Sequence, residues 1–166
     1  MARKVCFSFH YERDILRVGQ IRNSGLTKPD MDSAGFIDSA SWESLKKQGD
    51  EAVKRWINTQ LDGTSVTVFF IGYETSEREW VEYEIKQSYA KKNGMLGIYI
   101  NNVKDLNGQT DYKGQNPFDK LFVNQTPLSQ FYKTYDWVND DGYNNFGKWV
   151  KTAARNADRQ CGDWNR

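Results

Sequence analysis

Histidine and cysteine are scarce in this 166-residue chain, with one of the former and two of the latter. Cys6 lies in an apolar run and Cys161 near the tail, with no paired-ligand spacing for zinc and no disulfide framework. Both read as reduced thiols, and no metal site is expected. With His10 as the sole histidine and no G-x-S-x-G elbow, a nucleophilic triad has little support. A lone histidine ending a strand is more often a hydrogen-bonded structural residue than a catalyst. The glycine-rich G-x-G-x-x-G and G-x-x-x-x-G-K-[ST] loops are missing, so the usual dinucleotide and nucleoside-triphosphate cradles are excluded. The third predicted strand ends "FIGYET", without the Asp that a phosphate-accepting receiver domain requires. The longest apolar run, "VTVFFIG" at 66–72, is too short to span a bilayer. "MARKVCFSFH" has no sustained apolar segment or small-residue cleavage site, so no signal peptide is read and a cytoplasmic location is expected. With 23 basic against 22 acidic side chains, the net charge of +1 gives no support for nucleic acid or an anionic membrane as the partner.

Aromatic residues, by contrast, are plentiful at 14%, including six Trp, and they point to a packed core rather than disorder. The length suits a single domain over 1–166. "KVCFSFH" (4–10) has the β-branched and aromatic content of a strand, and Ile15, Val18 and Ile21 follow at helical spacing as far as Gly25. "AGFID" (34–38) reads as a second strand. A longer helix is predicted from Ser41, with Leu45, Ala52, Val53, Trp56, Ile57 and Leu61 on its stripe and Asp62-Gly63 as its stop. "TSVTVFFIG" (64–72) reads as a central strand covered on both faces. Ser76 with Glu79 forms a capping-box pattern for the next helix, which Asn93-Gly94 closes. "MLGIYIN" (95–101) and "FYKTYDWV" (131–138) are the fourth and fifth strands, separated by a long loop at about 102–128. A last helix carries Phe146, Trp149, Val150, Ala153 and Ala157. No internal repeat is visible. Strands alternating with helices predict an α/β fold with a central parallel five-stranded sheet in three layers.

In a flavodoxin-like strand order 2-1-3-4-5 the ligand crevice opens beyond the first and third strands. The segments there are "FHYERD", "IDSASW" and "GYETSEREW", so the candidate site falls on "REWVEYEIKQS" (78–88). In a helix, Trp80, Glu84 and Ser88 share one flank, beside a more apolar row of Val81, Ile85 and Tyr89. A carboxylate on the edge of a buried stripe is either a solvated helix residue or a pocket group. A single carboxylate among flat rings suits cleavage of NAD: it stabilises an oxocarbenium-like transition state, while the nicotinamide leaving group is already cationic and needs no acid.

The W-x-x-x-E pattern of Trp80 and Glu84, early in the helix after the central strand, resembles the site of enzymatic TIR domains. "KVCFSFHYERD", "GFIDSASWE", "TSVTVFFIGYETSEREWVEYEI", "NPFDKLFV" and "YDWVNDDGYNNFGKWV" together resemble one branch, the TIR-like proteins of the Thoeris antiphage defence system of bacteria. The resemblance implies a flavodoxin-like fold that takes NAD as substrate, with no separate cofactor, and cleaves it at the nicotinamide bond. It further implies a cyclic ADP-ribose isomer as product, a separate effector protein that this messenger activates, and a phage-derived trigger. By the same resemblance Glu84 is the catalytic carboxylate and Trp80 shapes the pocket wall. Phe9 and His10 line the nucleotide site, and Asp38, Ser39 and Trp42 fall where the substrate-gating loop of TIR domains sits. Asp38, Ser39 and Ser41 read equally well as caps of the following helix. The first-strand box "FSFHYERD" departs from the commoner aromatic-serine-tyrosine run, and the gating loop looks short; the loop at 102–128 is a candidate lid. The alternative function is a non-catalytic TIR-like interaction module, in which Glu84 lies on open surface or is tied up in an ion pair. Assembly into a homo-oligomer stays open.

Overall fold

In a computed structural model the chain is described over residues 3–26 and 31–160. Strand β1 (Arg3–Ser8) leads through α1 (Ile15–Ile21) and a wide helical turn (Arg22–Leu26) towards β2 (Met31–Ala34). Helices α2 (Ser39–Lys47) and α3 (Asp50–Leu61) precede β3 (Val66–Ile71); a 3-10 turn (Thr75–Glu77) precedes α4 (Val81–Ala90) and β4 (Gly94–Tyr99). A small hairpin, β5 (Phe122–Val123) and β6 (Thr126–Pro127), lies before β7 (Thr134–Asp136) and α5 (Gly142–Gln160). The main sheet runs β2-β1-β3-β4-β7 with every pairing parallel, the expected order and the expected α/β class. Central β3 is buried at all six positions, which is why its sequence is apolar without alternation.

Strand alternation divides the protein into two faces. Phe7 meets Phe70 and, on α5, Phe146, in edge-on contacts with centroids 4.9 and 6.2 Å apart. Its neighbour Ser8 points the other way and meets Glu84 on α4. Cys6 shares the Ser8 side with Trp56, Ile57 and Leu61 of α3 around a small internal gap. The Cys6 thiol is free and buried, and burial, helped by the charge of Glu84, raises its pKa. Cys161 lies outside the described residues.

Four expectations change. The second strand covers 31–34 rather than 34–38, because Gly35 turns out of the ladder at φ +84°, where a Cβ would stand 2.2 Å from the Phe7 carbonyl oxygen. The Gly35 N–H is taken instead by the Gln60 side chain at 2.9 Å. The long helix predicted from Ser41 is two helices, broken at Gly49 with φ +102°. The Ser76–Glu79 capping box does not form: Thr75 Oγ1 accepts the Gly72 N–H at 2.8 Å, the chain coils into the 3-10 turn, and α4 starts only after Trp80. The fifth strand shortens from 131–138 to 134–136.

The long loop is packed rather than open. Arg17 of α1 donates to the carbonyls of Val103 and Gln109 at 2.7 and 3.0 Å. Further on, Phe118 and Leu128 are buried in a satellite cluster with Phe69, Val81 and Ile85. Among the described residues no helix is long and apolar enough to cross a membrane.

Candidate active site

Glu84 occupies the first turn of α4, where the positive helix end favours a carboxylate, and only 4% of it is exposed. Its N–H bonds the Trp80 carbonyl at 3.0 Å, so Trp80, Glu84 and Ser88 do step along one buried flank. That flank faces a polar seam on the sheet. Ser88 Oγ and Thr67 Oγ1 are 2.8 Å apart, and Asn93 Nδ2 donates to Thr64 and Thr67 at 2.9 and 3.2 Å. Buried polar groups are costly unless paired, and this row is paired along its length.

Around the carboxylate stand three residues. Ser8 Oγ donates to Glu84 Oε2, and the Tyr11 hydroxyl lies 3.5 Å from Oε1. Arg78 Nη2 donates to Oε2 at 2.8 Å and to Ser8 Oγ at 2.9 Å, forming a buried ion pair. The guanidinium also lies 4.9 Å over the Tyr11 ring. Burial, the largest influence, would lower the Arg78 pKa; the charges and side-chain contacts of Glu84 and Tyr11 together more than offset it and hold the group above its ordinary value. Burial, then the Glu84 charge, pushes the Tyr11 hydroxyl well up, so it stays protonated and able to donate.

Beyond Arg78 and Tyr11 opens a cavity of about 220 Å3 at the carboxyl end of β1. Its wall is aromatic, from His10, Tyr11, Trp42 and Trp80, and its charged lining is Glu12, Lys46, Glu77, Glu79 and Arg78. Glu84 does not line it. Arg78 and Tyr11 each touch Glu84 on one side and the cavity on the other, so they are the floor and the carboxylate lies directly beneath. Burial, and then the nearby Arg78 charge, lowers the His10 pKa; its Nδ1 accepts the Arg13 N–H at 3.0 Å.

Of the residues singled out from sequence, His10, Trp42 and Trp80 meet at this cavity, with Glu84 below. Phe9 is fully buried in the core, edge-on to Tyr11 at 4.5 Å, and is no part of the wall. Asp38 is exposed and caps α2, accepting from the Ser41 N–H and hydroxyl, both at 2.8 Å, which lowers its pKa. Ser39 donates to the Tyr11 carbonyl at 3.1 Å and so braces the floor from behind. No residue of 102–128 lines the cavity, so that loop is not a lid over it in this structure. Sequence reasoning missed Ser8, Tyr11 and Arg78. Tyr11 stood in the inspected crevice segment "FHYERD" and Ser8 just before it, where strand alternation from Cys6 would have placed it on the Glu84 side. Arg78 stood in the inspected segment "GYETSEREW" and opened "REWVEYEIKQS", but it lies in the turn before α4, where periodicity gives no side-chain direction. Among the described residues no group of three or more His, Cys, Asp or Glu is arranged to hold a metal ion.

A parallel β2-β1-β3-β4-β7 sheet with a W-x-x-x-E carboxylate under a cavity at its carboxyl edge defines a TIR-like domain. The pattern of one such family, described as "Thoeris protein ThsB, TIR-like domain", matches residues 6–105, and the chain belongs to that family. It is also 40% identical, over 191 aligned positions covering 90% of this chain and 100% of the relative, to a protein of Bacillus cereus (strain MSX-D12) provisionally named cyclic ADP-D-ribose synthase ThsB1.

Proposed function

We propose that this protein cleaves NAD at the bond between nicotinamide and ribose and closes the ADP-ribose part on itself as a cyclic isomer. The observation that carries the reading is Glu84: a buried carboxylate at the W-x-x-x-E position, one side chain beneath an aromatic-walled cavity. The relative's name supports the same chemistry. The C–N bond breaks with its electron pair passing to the nicotinamide nitrogen, which discharges the ring, and positive charge develops at the ribose. Glu84 stabilises that charge. A nucleophile from the adenosine end then bonds to the same carbon and releases a proton. Trp42, Trp80 and Tyr11 supply flat surfaces that hold a ring in place, which favours this internal attack by proximity. The cavity, at about 220 Å3, is below the usual range of about 300–1,000 Å3 for small-molecule sites, so a whole dinucleotide would extend beyond it.

In this reading the protein works in the cytoplasm, a phage-derived signal raises its activity, and the cyclic product activates a separate effector protein. The Arg78–Glu84 pair is the observation that favours the alternative, a non-catalytic interaction module, since it neutralises the carboxylate.

The test is incubation with NAD, of purified protein and of extract from phage-infected cells expressing it, beside Glu84→Gln. Nicotinamide release with a product one water lighter than ADP-ribose is expected, reduced at least ~100-fold in the variant. Linear ADP-ribose alone would keep the cleavage and remove the messenger. No nicotinamide in either setting would leave the interaction module.

A further inference from the structure

We infer that Arg78 is a latch with two alternative partners, holding Glu84 in the resting protein and transferring to the diphosphate of a bound dinucleotide, which uncovers the carboxylate. The inference rests on the NAD reading above and adds its control.

Charge supplies the first argument. A dinucleotide brings two phosphate charges to a cavity whose lining holds Glu12, Glu77 and Glu79. The lining cations are Lys46 and Arg78, and both are already engaged. Lys46 pairs with Glu12 and, at 2.9 Å, with Glu43; Arg78 pairs with Glu84. The wall as it stands repels a diphosphate. Release of one cation towards the cavity corrects that, and Arg78 is the floor.

The second argument is that Arg78 is held incompletely. A guanidinium can grip a carboxylate with two parallel hydrogen bonds. Here Nη2 alone makes both bonds, to Glu84 and Ser8, while Nε and Nη1 are buried with no hydrogen-bond partner among the described residues. A half-satisfied buried cation is costly, and a diphosphate offers the paired oxygens that Glu84 does not. Arg78 also stands outside any helix, with extended backbone (ψ 133°) between the 3-10 turn and α4, so its movement breaks no α-helical turn.

The third argument is chemical. While Arg78 pairs with Glu84 the carboxylate is neutralised, and a cation stands where the ribose would gain positive charge. Cleavage needs both conditions removed. One side-chain transfer removes both and binds the substrate in the same step, so the resting protein spares NAD without a separate inhibitory domain.

The experiment uses ADP as the probe, since it carries the diphosphate but not the nicotinamide ribose that Glu84 would touch. Calorimetric titrations compare the full-length wild type, Glu84→Gln and the Glu84→Gln/Arg78→Met double variant, each first shown to be folded by circular dichroism. Glu84→Gln removes the charge that holds the guanidinium and is expected to bind ADP about tenfold more tightly than wild type, the size of one charge-assisted hydrogen bond. The double variant is expected to lose that gain. If Arg78→Met does not fold, Arg78→Lys, which keeps the charge without the fork, is expected to lose most of it. Unchanged or weaker ADP binding by Glu84→Gln overturns the latch, as does a gain that survives loss of the guanidinium. Glu84-dependent NAD cleavage alongside such a result leaves the enzyme reading standing. Failure of every protein to bind ADP, bind NAD or release nicotinamide removes the NAD reading and the latch together.

Discussion

The sheet face covered by α1 and α5 is filled with rings and branched chains, whereas the face covered by α2, α3 and α4 carries a row of hydrogen-bonding groups. On the first, Phe7, Phe70 and Phe146 interlock edge-on, and Tyr135 stacks on Trp149 at 4.2 Å. On the second, Ser8, Glu84, Thr67, Ser88 and Asn93 run from the cavity floor down between α4 and the strands. The difference teaches where each kind of energy is kept. Both faces stabilise the fold by apolar area removed from water, the second through residues such as Ile57, Phe69, Val81 and Ile85. The polar face trades some of that for fixed charges and donors near the crevice, the arrangement a reactive site requires.

Truncation on the apolar face should break the comparison most severely. Phe146→Ala is expected to cost about 3–5 kcal/mol, read from urea unfolding followed by circular dichroism. Asp14, just before α1, is that side's exception. It is buried against the backbone of Gly72, and neither carboxyl oxygen has a hydrogen-bond partner among the described residues. Burial raises its pKa from 3.8 to about 6. A folded acid that holds its proton more tightly than the unfolded one stabilises at low pH, and that contribution is lost as the pH rises through about 6. The loss amounts to roughly 3 kcal/mol. Asp14→Asn should therefore flatten the fall in unfolding free energy between pH 4 and pH 7 relative to wild type; an unchanged slope would show that Asp14 does not titrate there.

In the polar row, Thr67→Val leaves Ser88 and Asn93 each short of a partner and should cost about 1–3 kcal/mol. Adding Ser88→Ala should cost less than the sum of the two single changes, because the second removes a group the first had stranded. Strict additivity in that double-mutant cycle would mean the row is a set of independent contacts. The smallest effect is expected at the edge, where Asp38→Ala removes the cap of α2 and should lower the midpoint of thermal or urea unfolding only slightly.

Much of this was legible from the chain. The parallel sheet followed from alternating strand and helix patterns, its order from the flavodoxin-like arrangement taken for them, and central β3 from an apolar run with no alternation. Glu84 drew notice as a carboxylate on the edge of a predicted buried stripe at the crevice, and the W-x-x-x-E resemblance, not spacing alone, singled it out; the structure shows it buried. What stayed hidden shares a cause. The end of β2, the break between α2 and α3, and the 3-10 turn before α4 depend on a backbone conformation or one local hydrogen bond, at Gly35, Gly49 and Thr75. Hydrophobic periodicity is blind to both. Arg78 was missed for the same reason, and it is the residue that decides whether the carboxylate is free.

The position of Cys6 has a consequence for the conditions under which this site stays intact. The thiol lies in the same internal gap as Glu84, shielded from solvent and kept protonated by burial. Since oxidants and alkylating reagents act on accessible thiolates, the sulfur beside the carboxylate is chemically silent. The candidate site therefore gains no redox sensitivity from Cys6, and thiol reagents applied to the folded protein should leave that sulfur unmodified.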